Sequence, residues 1–195
     1  YKNIYYNIFS KHVQSTIFSG YFLIFHKYTY IDMHRGAKII VKGCVKLGNK
    51  VTEKDKSQSI FLIRKNGLIK FEGNYTFGAG TNVQVFENAE FIVGGGGDTN
   101  IGVEIVCGKK IQFEDNVFLG RNVIVRDTNG EHYLSRQGYK TSRAVILGNH
   151  AWLCDRCTIM PGVHVYPGGI VGAGAFVTAD VPAFSIVSGN PAQVV

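Results

Sequence analysis

The chain has 195 residues and is 45% hydrophobic, so it can bury a sizeable core, and we expect one domain spanning residues 1–195. Its 24 glycines and 4 prolines favour tight corners between short strands and argue against a collagen-like or disordered chain. The formal net charge of +7 would permit nucleic-acid binding, but the basic residues are dispersed and no nucleic-acid-binding motif accompanies them, so we expect no nucleic-acid partner.

The first part of the chain, residues 1–38, precedes any regular apolar spacing, and we expect it to form an N-terminal cap region. Its apolar stretch from Tyr21 to Phe25 is far shorter than the ~20 residues of a transmembrane helix. The order of charge, apolar block and small residues typical of a signal peptide is also missing. The sequence therefore predicts no integral membrane segment and a cytoplasmic protein.

A spacing of six residues begins at Ile39, Val45 and Val51, and a polar stretch from Thr52 to Ser59 then interrupts it. We expect regular structure to resume at Ile60. The run of four glycines at 94–97 lacks the Lys-Ser/Thr of a phosphate-cradling loop, so it predicts a corner or a bulge rather than a nucleotide site.

Apolar residues then return at every sixth position in two runs. The first run is Ile101, Cys107, Phe113, Leu119 and Val125, and the second is Leu147, Leu153, Ile159, Val165, Val171 and Val177. A period of six is neither helical nor a simple alternation, and it is typical of short strands that turn a corner once per repeat. Three such repeats form one coil of a parallel β-helix. The sequence therefore predicts an all-β solenoid with little helix.

The two runs are separated by an insertion. From Val125 to Leu147 the register advances 22 positions instead of 6, so residues 126–143 leave the solenoid as an extruded loop and the chain rejoins it in phase. A loop extruded from a repeat array usually lies on a binding face. It contains His132, whose imidazole is suited to moving protons near neutral pH. We expect the catalytic chemistry there.

The four cysteines do not predict a metal or redox site. Cys107 falls on an inward repeat position and should be a small buried hydrophobe. Cys154 and Cys157 have the spacing of metal ligands, but neither a second pair nor a histidine doublet lies near them in the sequence. We expect no bound metal, and free thiols fit a reducing compartment.

Five segments carry a family resemblance: Ala144–Leu153, Pro161–Val163, Val171–Ala175, Thr178–Pro182 and Gly189–Ala192. In this order and phase they resemble the C-terminal half of hexapeptide-repeat acyltransferases, above all the maltose- and galactoside-type sugar O-acetyltransferases and the O-acetyltransferases of bacterial surface polysaccharides. The resemblance implies a left-handed parallel β-helix. It also implies a homotrimer with active sites between subunits, and acetyl-CoA as the acetyl donor.

The same resemblance implies roles for the residues of the loop. His132 occupies the place of the general base, which accepts the proton of a sugar hydroxyl as that hydroxyl attacks the thioester. Many relatives have an Asp four residues before this histidine, whereas Asp127 precedes His132 by five and Glu131 is adjacent. Asp127, Glu131 or a backbone carbonyl could therefore orient the imidazole. His150 is a reserve candidate for the base.

Further site residues follow from the resemblance. Ala151, Trp152, Ala173 and Gly174 are expected to contact acetyl-CoA, and Asn100 the acceptor. Trp152 directly precedes the inward Leu153, so its ring should point out of the coil. Relatives often carry basic residues at the positions of Ala179 and Gln193, near the phosphates of the cofactor. Those phosphates must therefore find other partners in this chain, such as a neighbouring subunit.

The predicted function is acetyl-CoA-dependent O-acetylation of a sugar hydroxyl in the synthesis of a bacterial surface polysaccharide. Three alternatives stay open. The solenoid could be a non-catalytic scaffold, or it could acetylate a serine-like or other small non-sugar acceptor. A zinc enzyme on the same fold would require His132, His150 and His164 to converge on one cleft, and their spacing does not force this.

Overall fold

The structure is a computed structural model, and it describes residues 1–16, 19–130 and 141–195. Near its N-terminus the chain forms helix α1 (Lys2–Ile4) and a π-helical segment (Tyr5–Phe9). The strands are, in chain order, β1 (Val13–Gln14), β2 (Phe22–Phe25), β3 (Thr29–Met33), β4 (Lys38–Val41), β5 (Cys44–Asn49), β6 (Ser59–Ile63), β7 (Leu68–Phe71), β8 (Tyr75–Gly78), β9 (Asn82–Val85), β10 (Glu90–Val93), β11 (Gly97–Thr99), β12 (Glu104–Cys107), β13 (Lys110–Phe113), β14 (Phe118–Leu119), β15 (Ile124–Arg126), β16 (Val145–Leu147), β17 (Trp152–Leu153), β18 (Thr158–Ile159), β19 (His164–Val165), β20 (Ile170–Val171), β21 (Phe176–Val177), β22 (Ile186–Gly189) and β23 (Ala192–Val194).

The strands pass in turn through three sheets. Sheet A has the order β1-β4-β7-β10-β13-β16-β19, sheet B the order β2-β5-β8-β11-β14-β17-β20-β22-β23, and sheet C the order β3-β6-β9-β12-β15-β18-β21. Each strand from β1 to β18 pairs in parallel with the strand three elements further on, β20 pairs in parallel with β22, and the chain closes with the antiparallel pair β22–β23. The chain therefore forms the left-handed parallel β-helix predicted from the sequence.

The second run of repeats forms the most regular part of the solenoid. All six of its predicted inward residues are buried, with at most 2% of their surface exposed. Leu147 pairs with Val165, so one coil here takes 18 residues, or three repeats of six. Each inward side chain packs against the coils above and below, as a repeat array requires.

The first run is confirmed at four of its five positions. Cys107, Phe113, Leu119 and Val125 are buried. Ile101 is wrong as an inward position, because it lies in the corner after β11 and is only half-buried. The coil that passes through this corner takes 22 residues, from Val83 to its partner Ile105, so a strict period of six does not hold there.

The N-terminal half is built from longer coils. Ile39 and Val45 are buried as predicted, but Val51 is wrong as an inward position, since the chain leaves sheet B after Asn49 and Val51 is 68% exposed. Strand β6 marks the predicted resumption near Ile60. The wider interior of these coils is filled by a stack of aromatic side chains: Phe61, Phe71, Tyr75, Phe77, Phe91 and Phe113.

Three of the four glycines at 94–97 form the corner between β10 and β11, as predicted, and Gly97 begins β11. Gly96 has a φ of +77°, which a residue with a side chain rarely adopts. A Cβ on Gly73, in the preceding coil, would lie 2.7 Å from the Cα of Gly95. Glycine is therefore required for the two corners to stack, and the glycine run serves the fold.

The predicted cap region contributes β1, β2 and β3 to the three sheets, so parallel pairing already begins at Val13. Before it, the helical segment packs across the end of the solenoid through Tyr6, whose ring stacks on Phe25 with the centroids 5.0 Å apart. No helix in the described ranges is long and apolar enough to cross a membrane.

Candidate active site

The outer face of sheet B carries a column of side chains that pair across neighbouring coils. Asp98 of β11 pairs with Phe118 of β14, Phe118 with Trp152 of β17, and Trp152 with Ile170 of β20. These residues precede buried ones along each strand, so the alternation of a β-strand turns them outward. Trp152 is 51% exposed and Phe118 38%, which leaves both rings accessible on the surface.

An open concavity of about 500 Å³ lies along this column and the adjoining corner between sheets B and C. Its lining residues are Asp98, Asn100, Phe118, Leu119, Gly120, Trp152 and Asp155. The fold thus brings together Asn100 and Trp152, two predicted site residues that are remote in sequence. Aromatic faces and carboxylates in one concavity are suited to a small polar ligand with an apolar side.

The polar rim of the concavity is ordered by the backbone. The side-chain Oδ1 of Asn100 accepts a hydrogen bond from the N–H of Ile101 at 2.8 Å, and the Oδ1 of Asp155 accepts one from the N–H of Arg121 at 2.8 Å. Partial burial raises the pKa of the Asp98 carboxyl above its ordinary value. These contacts hold two of the polar side chains at the rim in defined positions.

Ala173 and Gly174 form the next corner between sheets B and C, and both are exposed. The N–H of Gly174 donates to the carbonyl of Asp155 at 2.9 Å, so this corner lies directly beside the concavity. Gly174 has a φ of +70°, and no atom lies within 4 Å of where its Cβ would be. The backbone here can therefore be approached closely by an extended ligand.

Ala151, a further predicted cofactor contact, has a different position. Its side chain is fully buried in the core, its N–H donates to the carbonyl of Gly148, and its carbonyl accepts from the N–H of Phe118. Ala151 therefore supports the two strands that carry Phe118 and Trp152, and its side chain does not face the concavity.

The sequence analysis did not single out Asp98, Phe118 or Asp155. The six-residue register contained the signal for Phe118, because it precedes the inward Leu119 as Trp152 precedes Leu153. The sequence analysis also assigned no site role to Arg121 or Arg156. Both are exposed in the corners between sheets B and C, and the N–H of Arg156 donates to the carbonyl of Arg121 at 2.8 Å.

Asp127 lies at the corner between sheets C and A, and it is completely buried. One carboxylate oxygen accepts a hydrogen bond from the N–H of Gly108, and the other accepts from the N–H groups of Lys109 and Lys110 at 2.8 and 2.6 Å. Burial raises the pKa of this carboxyl, and the three N–H donors partly oppose that effect. The carboxylate therefore braces the corner between β12 and β13.

The extruded loop leaves the solenoid through a short antiparallel stem. Thr128 bridges Ser142, the N–H of Asn129 donates to the carbonyl of Thr141 at 3.2 Å, and the N–H of Arg143 donates to the carbonyl of Asp127 at 2.8 Å. These contacts bring the two ends of the loop together and explain how the chain rejoins in phase. His132 and Glu131 lie outside the described residues.

Two of the other histidines that the sequence singled out lie on separate parts of the solenoid. His150 is exposed at the corner between sheets A and B with a φ of +58°, and His164 stacks on Tyr166 with the ring centroids 3.8 Å apart. In the described ranges, no three His, Cys, Asp or Glu side chains are grouped as metal ligands. All four cysteines are free thiols.

Comparison with known proteins finds relatives that are acetyltransferases. WbbJ of Escherichia coli strain K12, assigned as a lipopolysaccharide biosynthesis O-acetyl transferase, is 24% identical over 144 residues, which cover 68% of this chain and 74% of WbbJ. The galactoside O-acetyltransferase of the same strain is 28% identical over 121 residues, or 61% of this chain and 56% of that protein. This chain thus spans little more than half the length of the second relative. No protein-family model matches the chain.

The fold is shared with a solved acetyltransferase. The crystal structure of NeuO, a polysialic-acid-specific acetyltransferase, aligns with a TM-score of 0.51 over 89% of this chain and 79% of NeuO, at 19% sequence identity. The six-residue repeat, the three-sided solenoid and the related sequences define one class of protein. In these features the chain is similar to the hexapeptide-repeat acyltransferases, the family of its O-acetyltransferase relatives.

Proposed function

We propose that this protein is an acetyl-CoA-dependent O-acetyltransferase that modifies a sugar hydroxyl during the synthesis of a bacterial surface polysaccharide in the cytoplasm. One observation carries the proposal: the solenoid places Asn100 and Trp152 on one concavity, next to the open corner of Ala173 and Gly174. The names of the O-acetyltransferase relatives support a sugar acceptor.

The donor would lie along the corners between sheets B and C. An extended pantetheine arm needs a surface without bulky side chains, and Ala173 and Gly174 supply it. The cofactor phosphates need cations, and neither Ala179 nor Gln193 is basic. Arg121 and Arg156 are exposed in the two preceding corners, and we assign them this role.

The acceptor would occupy the concavity itself. A sugar ring has an apolar face that packs on an aromatic ring, and its hydroxyl edge donates hydrogen bonds to carboxylates and amides. Trp152 and Phe118 provide the aromatic surface, and Asp98 and Asn100 lie at its edge. Trp152 borders both regions, so it would contact the acetyl group where donor and acceptor meet.

His132 would act as the general base. Its neutral imidazole accepts the proton of the acceptor hydroxyl as the oxygen attacks the thioester carbonyl, the C–S bond breaks, and the coenzyme thiolate takes up a proton on leaving. Asp127 already receives three backbone N–H bonds, which argues against it as the group that orients His132. Glu131 or a backbone carbonyl is the better candidate.

The position of the loop stem favours a site shared between subunits. The stem lies at the corner between sheets C and A, which is the one corner of a three-sided solenoid that sheet B does not border. The concavity lies on sheet B and at its corner with sheet C, so sheet C separates it from the stem. A homotrimer would resolve this separation, because the loop of one subunit can meet the concavity of its neighbour.

The test is release of coenzyme thiol from acetyl-CoA in the presence of sugars, nucleotide sugars, oligosaccharides, amino sugars and serine. We expect release with a hydroxyl-bearing sugar, an ester in the product detected by mass spectrometry, and a trimer by light scattering. An amide product, or acetylation of serine alone, would show that the acceptor is not a sugar hydroxyl. Purified protein that neither binds acetyl-CoA nor releases thiol would establish the scaffold alternative.

A further inference from the structure

The N-terminal helical segment carries several large apolar side chains that are exposed to solvent. Ile4, Ile8 and Phe9 are 58%, 59% and 71% exposed, and the aromatic rings of Tyr1 and Tyr5 are exposed beside them. These five large apolar side chains are exposed within nine consecutive residues and together form the apolar patch of this segment, unlike the scattered single residues found on most surfaces. An exposed apolar patch of this kind is typical of a surface that binds another molecule.

The opposite side of the segment explains why the patch is fixed. The side chain of Asn7 accepts a hydrogen bond from the N–H of Leu23 at 2.7 Å and donates one to its carbonyl at 2.8 Å. The Oδ1 of Asn3 accepts from the N–H of Phe25 at 2.7 Å. These contacts satisfy the outer edge of β2, the first strand of sheet B, so the segment is part of the fold and its apolar side points outward.

A basic concavity adjoins the patch. The chain passes from Phe9 through Ser10 to Lys11 and His12, and there it borders a concavity of about 390 Å³ whose side chains include Lys11, His12, Met33, His34, Arg35 and Lys38. Backbone pairing places His12 firmly at this position, because its carbonyl accepts from the N–H of Ile39 at 2.8 Å. One carboxylate lies near these cations: the Oδ2 of Asp32 is 4.0 Å from the Nε2 of His34.

We propose that this end of the solenoid is a peripheral docking surface for anionic phospholipid bilayers. Ile4, Ile8 and Phe9 enter the headgroup region, and Lys11, Arg35 and Lys38 meet the lipid phosphates. An exposed apolar side next to a cluster of cations is the arrangement that binds the interface of an anionic membrane. A second copy of the chain would present the same positive charge, and nucleic acid would leave the isoleucines without an apolar partner.

The experiment is sedimentation of the purified protein with vesicles of phosphatidylcholine alone and with vesicles that also contain phosphatidylglycerol. We expect at least ~10-fold stronger binding to the anionic vesicles, and we expect added salt to weaken it because salt screens exposed charges. Equal binding to both compositions, or none to either, would overturn the proposal.

Paired variants separate the apolar contribution to vesicle binding from the electrostatic one. Ile8→Ser with Phe9→Ser should abolish binding, whereas Phe184→Ser, which removes another highly exposed phenylalanine remote in sequence, should not. Lys11→Gln with Arg35→Gln should weaken binding to anionic vesicles by ~10-fold or more, and Lys109→Gln with Lys110→Gln should not. Circular dichroism and melting temperature confirm folding. If Ile8→Ser with Phe9→Ser leaves vesicle binding intact and changes the oligomer size instead, the patch is an interface between copies and the proposal fails.

Discussion

The outer face of sheet B and the corner between sheets C and A use the same kinds of polar side chain in opposite conditions. At the corner, Asp127 is buried and both of its carboxylate oxygens are occupied by backbone N–H groups. On sheet B, Asp98 and Asn100 are exposed at the rim of an open concavity. The first arrangement stabilises a backbone turn, and the second leaves polar groups accessible to a ligand.

This difference in burial distinguishes two residues that the sequence analysis had given the same kind of role. Asp127 and Asn100 both carry short polar side chains next to repeat positions, and both were candidate site residues. A buried carboxylate that accepts three backbone hydrogen bonds cannot move toward a substrate without losing bonds that would be costly to leave unmade. We therefore expect Asp127 to stabilise the fold rather than to take part in the chemistry, and five predictions test the division between residues of the fold and residues of the site.

The largest expected effect is that of His132→Ala. If the loop supplies the general base, acetyl transfer should fall by roughly 10²–10⁴-fold, the usual worth of a positioned proton transfer, while binding of acetyl-CoA is unchanged. Steady-state kinetics and isothermal titration with coenzyme A would measure the two quantities. His150→Ala is the matched control. If His150→Ala loses transfer and His132→Ala keeps it, the base lies at the other corner.

The second prediction concerns Asp127→Ala, which should destabilise the fold more than it alters chemistry. Removing the carboxylate leaves three backbone N–H groups at a partly buried corner without their acceptor, and we expect a loss of about 3 kcal/mol in the free energy of unfolding. Chemical denaturation measures this loss. Asp98→Ala removes an exposed carboxylate and should change stability by less than ~0.5 kcal/mol. If the Asp127→Ala protein has normal stability but no longer transfers acetyl groups, Asp127 acts in catalysis.

Trp152→Ala tests whether the tryptophan ring serves the concavity or the core, because the first role affects activity and the second affects stability. Because the ring is half-exposed on the outer face, we expect turnover to fall by ~10-fold or more and the melting temperature to change little. The adjacent Leu153→Ala removes a buried side chain and should cost about 2–5 kcal/mol of stability. A large loss of melting temperature in Trp152→Ala, with activity preserved in the folded fraction, would place the ring in the core instead.

Arg156→Ala tests the source of the cofactor phosphate contacts. We expect the KM for acetyl-CoA to rise by roughly 5–10-fold, since one charge-assisted hydrogen bond is lost, with little change in kcat. Acetyl-pantetheine, which lacks the phosphates, provides the control donor: wild type and variant should use it equally well. An equal loss with both donors would show that Arg156 acts on something other than phosphate.

The smallest expected effect is a dependence of acceptor binding on pH. Partial burial raises the pKa of Asp98 above that of an ordinary aspartate. When the solution is acidified, this carboxylate is therefore protonated at a higher pH than an ordinary aspartate would be. A protonated carboxyl is a poorer acceptor for sugar hydroxyls, so the KM for the acceptor should rise a few-fold as pH falls through that pKa. Asp98→Asn should lack this step. A step that persists in Asp98→Asn belongs to another group.

Several features of the molecule were determined by the sequence alone. A period of six can be satisfied by a three-sided coil and by neither an α-helix nor a flat strand, so Leu147 to Val177 fixed the fold class and the inward residues of the regular coils. The same register turned Trp152 outward. It also located the insertion between Val125 and Leu147, because a break in phase is visible without any coordinates.

Other features were decided by the tertiary structure. The coils before Cys107 take more than 18 residues, and a wider interior filled by phenylalanines tolerates spacings other than six, which is why Val51 and Ile101 were misplaced. The partners of Asp127 come from a corner that precedes it by one coil, and Asn100 and Trp152 line one concavity only because parallel pairing stacks their coils. Contacts between coils depend on the length of every coil in between. Local spacing specifies which way a side chain points, and the stacking of whole coils specifies what it meets.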